Sequence, residues 1–169
     1  MENCDKKRVK EVLVPKLQKI ILEGSATETR VRCIEVLCAM ADVFEGGELQ
    51  SELLNTYKQL LADNRDPAIM AAVTQCYTTL GLKLGMAVMS KNILPKVTYL
   101  LAEPALNGAQ FEVMLTGIEQ MLAAIRQERQ EEFRKKAEEQ ARKEAEEAER
   151  AKNAPPLPAK PQSGLPGLP

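Results

Sequence analysis

Two short stretches decide the fold. Residues 14–17 read Val14-Pro15-Lys16-Leu17, and residues 94–97 read Leu94-Pro95-Lys96-Val97, 80 positions later. Halfway between them lies Leu54-Asn55-Thr56-Tyr57. A spacing of 40 recurs further along. Val31, Ala71 and Phe111 fall into one register, and Ile34, Thr74 and Met114 into another. A period of about 40 with two helices per unit predicts a HEAT-type α-solenoid of three helical hairpins, with a plain helical bundle as the alternative. In such arrays no unit buries its apolar face alone, so about three are needed for stability.

The residues around these anchors carry helical periodicity. Val9, Val12, Leu13, Leu17, Ile20 and Ile21 form one stripe, and Val31, Ile34, Leu37, Cys38 and Ala41 the next. Further stripes run through Leu49–Leu61, Ile69–Leu84, Val97–Leu101 and Phe111–Ile125. Steps of three and four mark helices that bury one face. Breakers separate the stripes: Gly24-Ser25, Gly46-Gly47, Asp63 to Pro67, Gly81 with Gly85, and Pro104 to Gly108. Pro67 suits the first turn of a helix. Pro15 and Pro95 lie inside first helices and predict a kink there.

Composition divides the chain into residues 1–125 (repeats), 126–152 (a charged single helix or weak coiled coil) and 153–169 (a disordered Pro-rich tail). The first holds 13 basic and 15 acidic side chains, the second nine of each, and the third only Lys160, giving −1 for the chain. Glu-to-Lys/Arg spacings of four, such as Glu139–Lys143, support the charged helix by a few tenths of a kcal/mol each (roughly 0.3). A seam of Phe133, Ala137, Ala141, Ala145 and Ala148 is weak beside the Leu/Ile seam of a stable coiled coil. The tail holds six of the ten prolines. Its Pro155-Pro156-Leu157-Pro158-Ala159-Lys160 fits PxxPxK, in which two prolines fill an SH3 groove and a cation meets its acidic pocket. Pro155, Pro158 and Lys160 are therefore the candidate SH3-ligand residues, and a passive tail is the plainer alternative.

Absent residues exclude whole chemistries. With no His, there is no Ser-His-Asp or Cys-His catalysis and no HExxH or Cys₂His₂ zinc site. No phosphate-cradling GxxxxGK[ST] or GxGxxG loop occurs. Cys4, Cys33, Cys38 and Cys76 contain no CxxC pair, and those on apolar helical faces read as small hydrophobes. Near-zero net charge speaks against general nucleic-acid binding. The longest apolar run, Ala68 to Val73, falls far short of the ~20 residues that span a bilayer. The charged start is unlike a signal peptide, and a reducing, cytoplasmic setting is expected. The expectation is a chain without catalytic, cofactor or metal site.

The later repeats resemble a known family. Asn92-Ile93-Leu94-Pro95-Lys96-Val97-Thr98-Tyr99-Leu100-Leu101 leads to Leu106-Asn107-Gly108-Ala109-Gln110-Phe111, then Ile118-Glu119-Gln120-Met121-Leu122 and a charged helix. This order resembles the last HEAT units of the Scy-one-like (SCYL-type) pseudokinases, nearest their coated-vesicle-associated branch. Thr29-Arg30-Val31-Arg32 and Asp66-Pro67-Ala68-Ile69 are similar to earlier elements, so the resemblance covers residues 25–135. It implies a non-catalytic scaffold in clathrin, Golgi or endosomal vesicle traffic, contacting coat or adaptor proteins and peripherally associated with membranes. No kinase-like Gly-rich loop, His-Arg-Asp or Asp-Phe-Gly is present. The competing expectation is an assembly subunit that oligomerises through the charged helix. If the repeats belong to a longer array, the outer side of the first helix is expected to be apolar where a cap would be polar.

Overall fold

The computed structural model describes residues 8–43 and 47–153. Among these the chain is all-helical, with six helices and no strand. Helix α1 begins as a π turn, Val9–Leu13, and continues as Val14–Glu23. Helix α2 is Thr27–Val43, α3 is Glu48–Asp63 and α4 is Pro67–Leu84. Helix α5 joins Met86–Val88, a second π turn Met89–Ile93 and Leu94–Leu100. Helix α6 is Gly108–Asn153. The chain divides into two units between Arg129 and Gln130.

The two π turns lie 80 residues apart, each just ahead of the proline of a first helix. Proline offers no N–H to the carbonyl four residues back, and its ring crowds that carbonyl. Widening the preceding turn to a π pattern relieves both problems. A π turn thus stands just ahead of Pro15 and of Pro95, where a kink is expected. Asn55 holds the same register in α3, and Glu48–Asp63 there is a regular α-helix.

Successive helices pack back on one another, α1 on α2 and α3 on α4, and the hairpins meet through α1–α3 and α2–α4. Burial follows the 40-residue register. Ile34, Thr74 and Met114 are all buried, and so are Ala41, Gly81 and Met121. Val31 and Ala71 sit half-buried against the core, while Phe111 in the first turn of α6 stays exposed. Thr74 tolerates full burial because its hydroxyl donates to the Met70 carbonyl at 2.8 Å.

Gly81 and Gly85, both read as breakers, do different work. Gly85 ends α4 with φ 86°, a value that favours glycine. Gly81 lies inside the helix. A Cβ there would stand 2.8 Å from Met89 Cγ, 3.1 Å from Ile93 Cδ1 and 3.5 Å from Met121 Sδ. The missing side chain lets α5 and α6 close on α4. Gly117 repeats the device on α6, where a Cβ would meet Thr78 Oγ1 at 2.5 Å.

Caps fix the helix starts. Asp66 precedes α4, and its carboxylate accepts from the Ala68 N–H at 2.9 Å. Its other oxygen accepts the Thr27 hydroxyl at 2.8 Å, tying the start of α2 to that of α4. Asn107 and Gln110 form a reciprocal capping box at α6, with N–H contacts of 2.9 and 3.0 Å. The Leu-Asn-x-x-Gln-Phe pattern therefore has a local reason: it starts a helix.

Residues 130–153 of the second unit are helical and, where described, exposed, with Glu132 intermediate. Lys143 pairs with Glu139 at 2.7 Å, Arg134 with Glu138 at 3.6 Å and Arg142 with Glu146 at 3.8 Å. The Pro-rich tail, with Pro155, Pro158 and Lys160, lies outside the described residues.

Two stability outcomes follow. By urea denaturation Gly81→Ala loses up to about 2 kcal/mol, because overpacking of about 1–3 kcal/mol offsets or exceeds the roughly 1 kcal/mol of helix propensity gained. Gly108→Ala, with nothing within 4 Å of its Cβ, stays within about 0.5 kcal/mol of the parent. Asp66→Ala costs about 1–2 kcal/mol as a lost cap. A double-mutant cycle with Thr27→Val returns a coupling of about 0.5–1.5 kcal/mol.

Candidate protein-interaction surface

Helices α2, α4 and α6 border two grooves of the first unit. Between α2 and α4 runs a groove of about 420 Å³ lined by Glu35, Cys38, Ala39, Ala72, Gln75, Cys76 and Thr79. Between α4 and α6 runs another of about 400 Å³, lined by Gln75, Thr78, Thr79, Leu82, Glu112, Val113, Thr116, Gly117 and Gln120. Gln75 and Thr79 on α4 border both. These residues fall together because the second helices share one register. Positions 35, 75 and 38, 78 turn the same way on successive helices.

The chemistry of these walls is contact chemistry. Glu35 is the charged side chain of one groove and Glu112 that of the other, beside amides, hydroxyls and the exposed apolar Leu82 and Val113. Such a mixture suits a polypeptide, with hydrogen-bonding groups and modest apolar contact. Among the described residues no group of three or more His, Cys, Asp and Glu is placed to hold a metal ion. No helix among them is long and apolar enough to cross a membrane.

Beneath the first groove, Cys76 donates to the Tyr57 hydroxyl at 3.3 Å, and that hydroxyl donates to the Ile34 carbonyl at 3.4 Å. The Tyr57 and Tyr77 rings meet edge to face at 5.8 Å. Tyr77 in turn donates to the Leu54 carbonyl at 3.3 Å. Burial pushes the Cys76 thiol well up, and the neighbouring Cys38 adds to the shift. Burial likewise pushes both tyrosine hydroxyls up. Cys76 is a packed thiol, with little thiolate to react. Cys33, Cys38 and Cys76 form no disulfide.

A third groove, about 340 Å³, lies between α3 and α5. It is bordered by Lys58 and Lys96 together with Leu54, Leu84, Val88 and Asn92. Partial burial lowers the Lys96 pKa, and the facing Lys58 lowers it further. Spacing alone would not have revealed this like-charge pair, because the two lysines are 38 positions apart and belong to different hairpins. The SH3-ligand residues Pro155, Pro158 and Lys160 are not brought to any of these surfaces within the described residues.

Alkylation of the folded chain followed by peptide mapping is expected to label Cys38, half-exposed on the first groove, well before Cys76. Adding denaturant equalises the two.

No protein-family model matches the chain, and neither a curated protein nor a solved structure is found similar to it.

Proposed function

We propose that the chain is a non-catalytic protein-interaction scaffold whose three helical hairpins stack as a HEAT-type solenoid. The observation that carries this reading is the shared register of buried positions. Ile34, Thr74 and Met114, and likewise Ala41, Gly81 and Met121, are buried at one spacing of 40 residues. Stacked units of this kind present long continuous surfaces, and binding is what such surfaces do. The grooves along α2, α4 and α6 are the binding face in this reading, with a ligand class of extended or helical polypeptide.

The resemblance to the Scy-one-like pseudokinases gives the scaffold its setting. In that setting it works in the cytoplasm, peripherally on Golgi, endosomal or clathrin-coated membranes, and engages coat or adaptor proteins. The Pro155, Pro158 and Lys160 motif recruits an SH3-type domain. Neither catalysis nor a cofactor enters this role.

Assembly through the charged helix is the second reading. It draws on the exposed row Phe133, Ala137, Ala141 and Ala145. The Lys143–Glu139, Arg134–Glu138 and Arg142–Glu146 pairs satisfy charges within one helix, as a solitary helix requires, which favours the scaffold.

Affinity capture from cytosol with the full chain and with a variant lacking residues 154–169 tests the proposal. The full chain is expected to retain SH3-containing proteins and coat proteins, and the truncated chain coat proteins alone. Capture of neither class overturns the scaffold. Sedimentation velocity is expected to show a concentration-independent monomer; a dimer abolished by Phe133→Glu supports the assembly reading instead.

A further inference from the structure

The two junctions between hairpins differ in how their polar groups are met. Where the first hairpin meets the second, the Gln18 side-chain amide donates to Glu52 and to Thr56, both at 3.0 Å. Forty positions on, Lys58 stands where Gln18 stood, Asn92 where Glu52 stood and Lys96 where Thr56 stood. No direct bridge joins these three side chains. Instead a groove of about 340 Å³ runs between α3 and α5.

The charge bordering this groove is of one sign. Lys58 and Lys96 line it, with Ser51, Asn55 and Asn92 beside them and an apolar wall that includes Val88. Among the described residues neither lysine makes an ion pair, and neither asparagine side chain makes a hydrogen bond. Residues 86–101 hold Lys91 and Lys96 and no Asp or Glu. Glu52 on α3 is engaged by Gln18 at the other junction. Partial burial lowers the Lys96 pKa, and Lys58 lowers it further, so the two ammonium groups are close enough to repel. An anion between them would remove that repulsion.

We propose that the α3–α5 groove is a binding site for a phosphate monoester group, held between Lys58 and Lys96 and by the side-chain amides of Asn55 and Asn92. A phosphate monoester carries close to two negative charges near neutral pH and three strong acceptor oxygens. It can therefore answer both lysines and still accept from both amides, which a singly charged, two-oxygen carboxylate does less well. Lysine binds phosphate as a point charge, without the fork geometry of arginine. The Ser51 hydroxyl donates to the Gly47 carbonyl at 2.8 Å, so the two amides are the neutral donors of the site. The volume falls at the small end of ligand sites, roughly 300–1,000 Å³, and leaves room for a small apolar part against Val88. A small soluble ester and a lipid headgroup both present this chemistry.

Titration of the isotope-labelled full chain with inorganic phosphate, at ionic strength held constant with sodium chloride, tests the site by NMR. Saturable shifts are expected at the side-chain amides of Asn55 and Asn92, and the Lys96 pKa is expected to rise. Lys58→Gln and Lys96→Gln are each expected to weaken phosphate binding on the order of 10-fold, and together to abolish it. Lys91→Gln, exposed on the same helix and outside the groove, leaves binding unchanged. In chloride alone Lys96→Gln is expected to melt no lower than the parent, because it removes a repulsion. Flotation with phosphatidylcholine vesicles, with and without phosphatidic acid, separates the two sources. Binding that needs phosphatidic acid and is lost in the double variant assigns a lipid headgroup. Phosphate binding without vesicle binding assigns a soluble ester. Shifts that do not saturate, that chloride reproduces or that persist in the double variant overturn the site.

Discussion

Helix α4 is enclosed closely by its neighbours because residue 81 has no side chain. Met89 and Ile93 of α5 and Met121 of α6 converge on that one position, and a Cβ would force Met89 to shift and press on Ile93. Closely packed interiors leave no slack to absorb such an insertion. The third hairpin thus reaches the second through a gap in the α4 surface. Gly117 provides the reciprocal gap on α6 for Thr78, whose hydroxyl is held in place by the Thr74 carbonyl at 3.0 Å.

The junction between the first and second hairpins is held by other means. There the Thr27–Asp66 bond couples two helix starts, and Tyr57 reaches from α3 to the Ile34 carbonyl. Gln18 bridges to Glu52 and Thr56 at that junction, while two lysines face each other at the next. The two junctions therefore carry different side-chain chemistry.

Much of the helical pattern was legible. Asp66-Pro67 and Gly85 mark real ends, and Ile34, Thr74 and Met114 are buried as their register requires. What was not legible turns on contacts between residues far apart in sequence. Gly81 resembles a breaker until Met89 and Met121 are seen against it. Pro15 and Pro95 predict a kink, and the structure adds a π turn just ahead of each. Ile20 and Leu122 continue apolar stripes and yet remain exposed, because periodicity names a face without saying what covers it. The grooves were invisible for the same reason: their walls come from helices about 40 residues apart.

The amino-acid sequence by itself determined that the described chain is helical, where most helices start and stop, and that positions such as Ile34, Thr74 and Met114 recur at a spacing of 40. Those properties depend on neighbours three to four residues away, on caps and on the backbone limits of proline and glycine. Only the tertiary structure decided which glycines serve as contact points, which lysines oppose each other and which apolar positions lack a cover. Each of these depends on distances between side chains that the chain brings together only by folding.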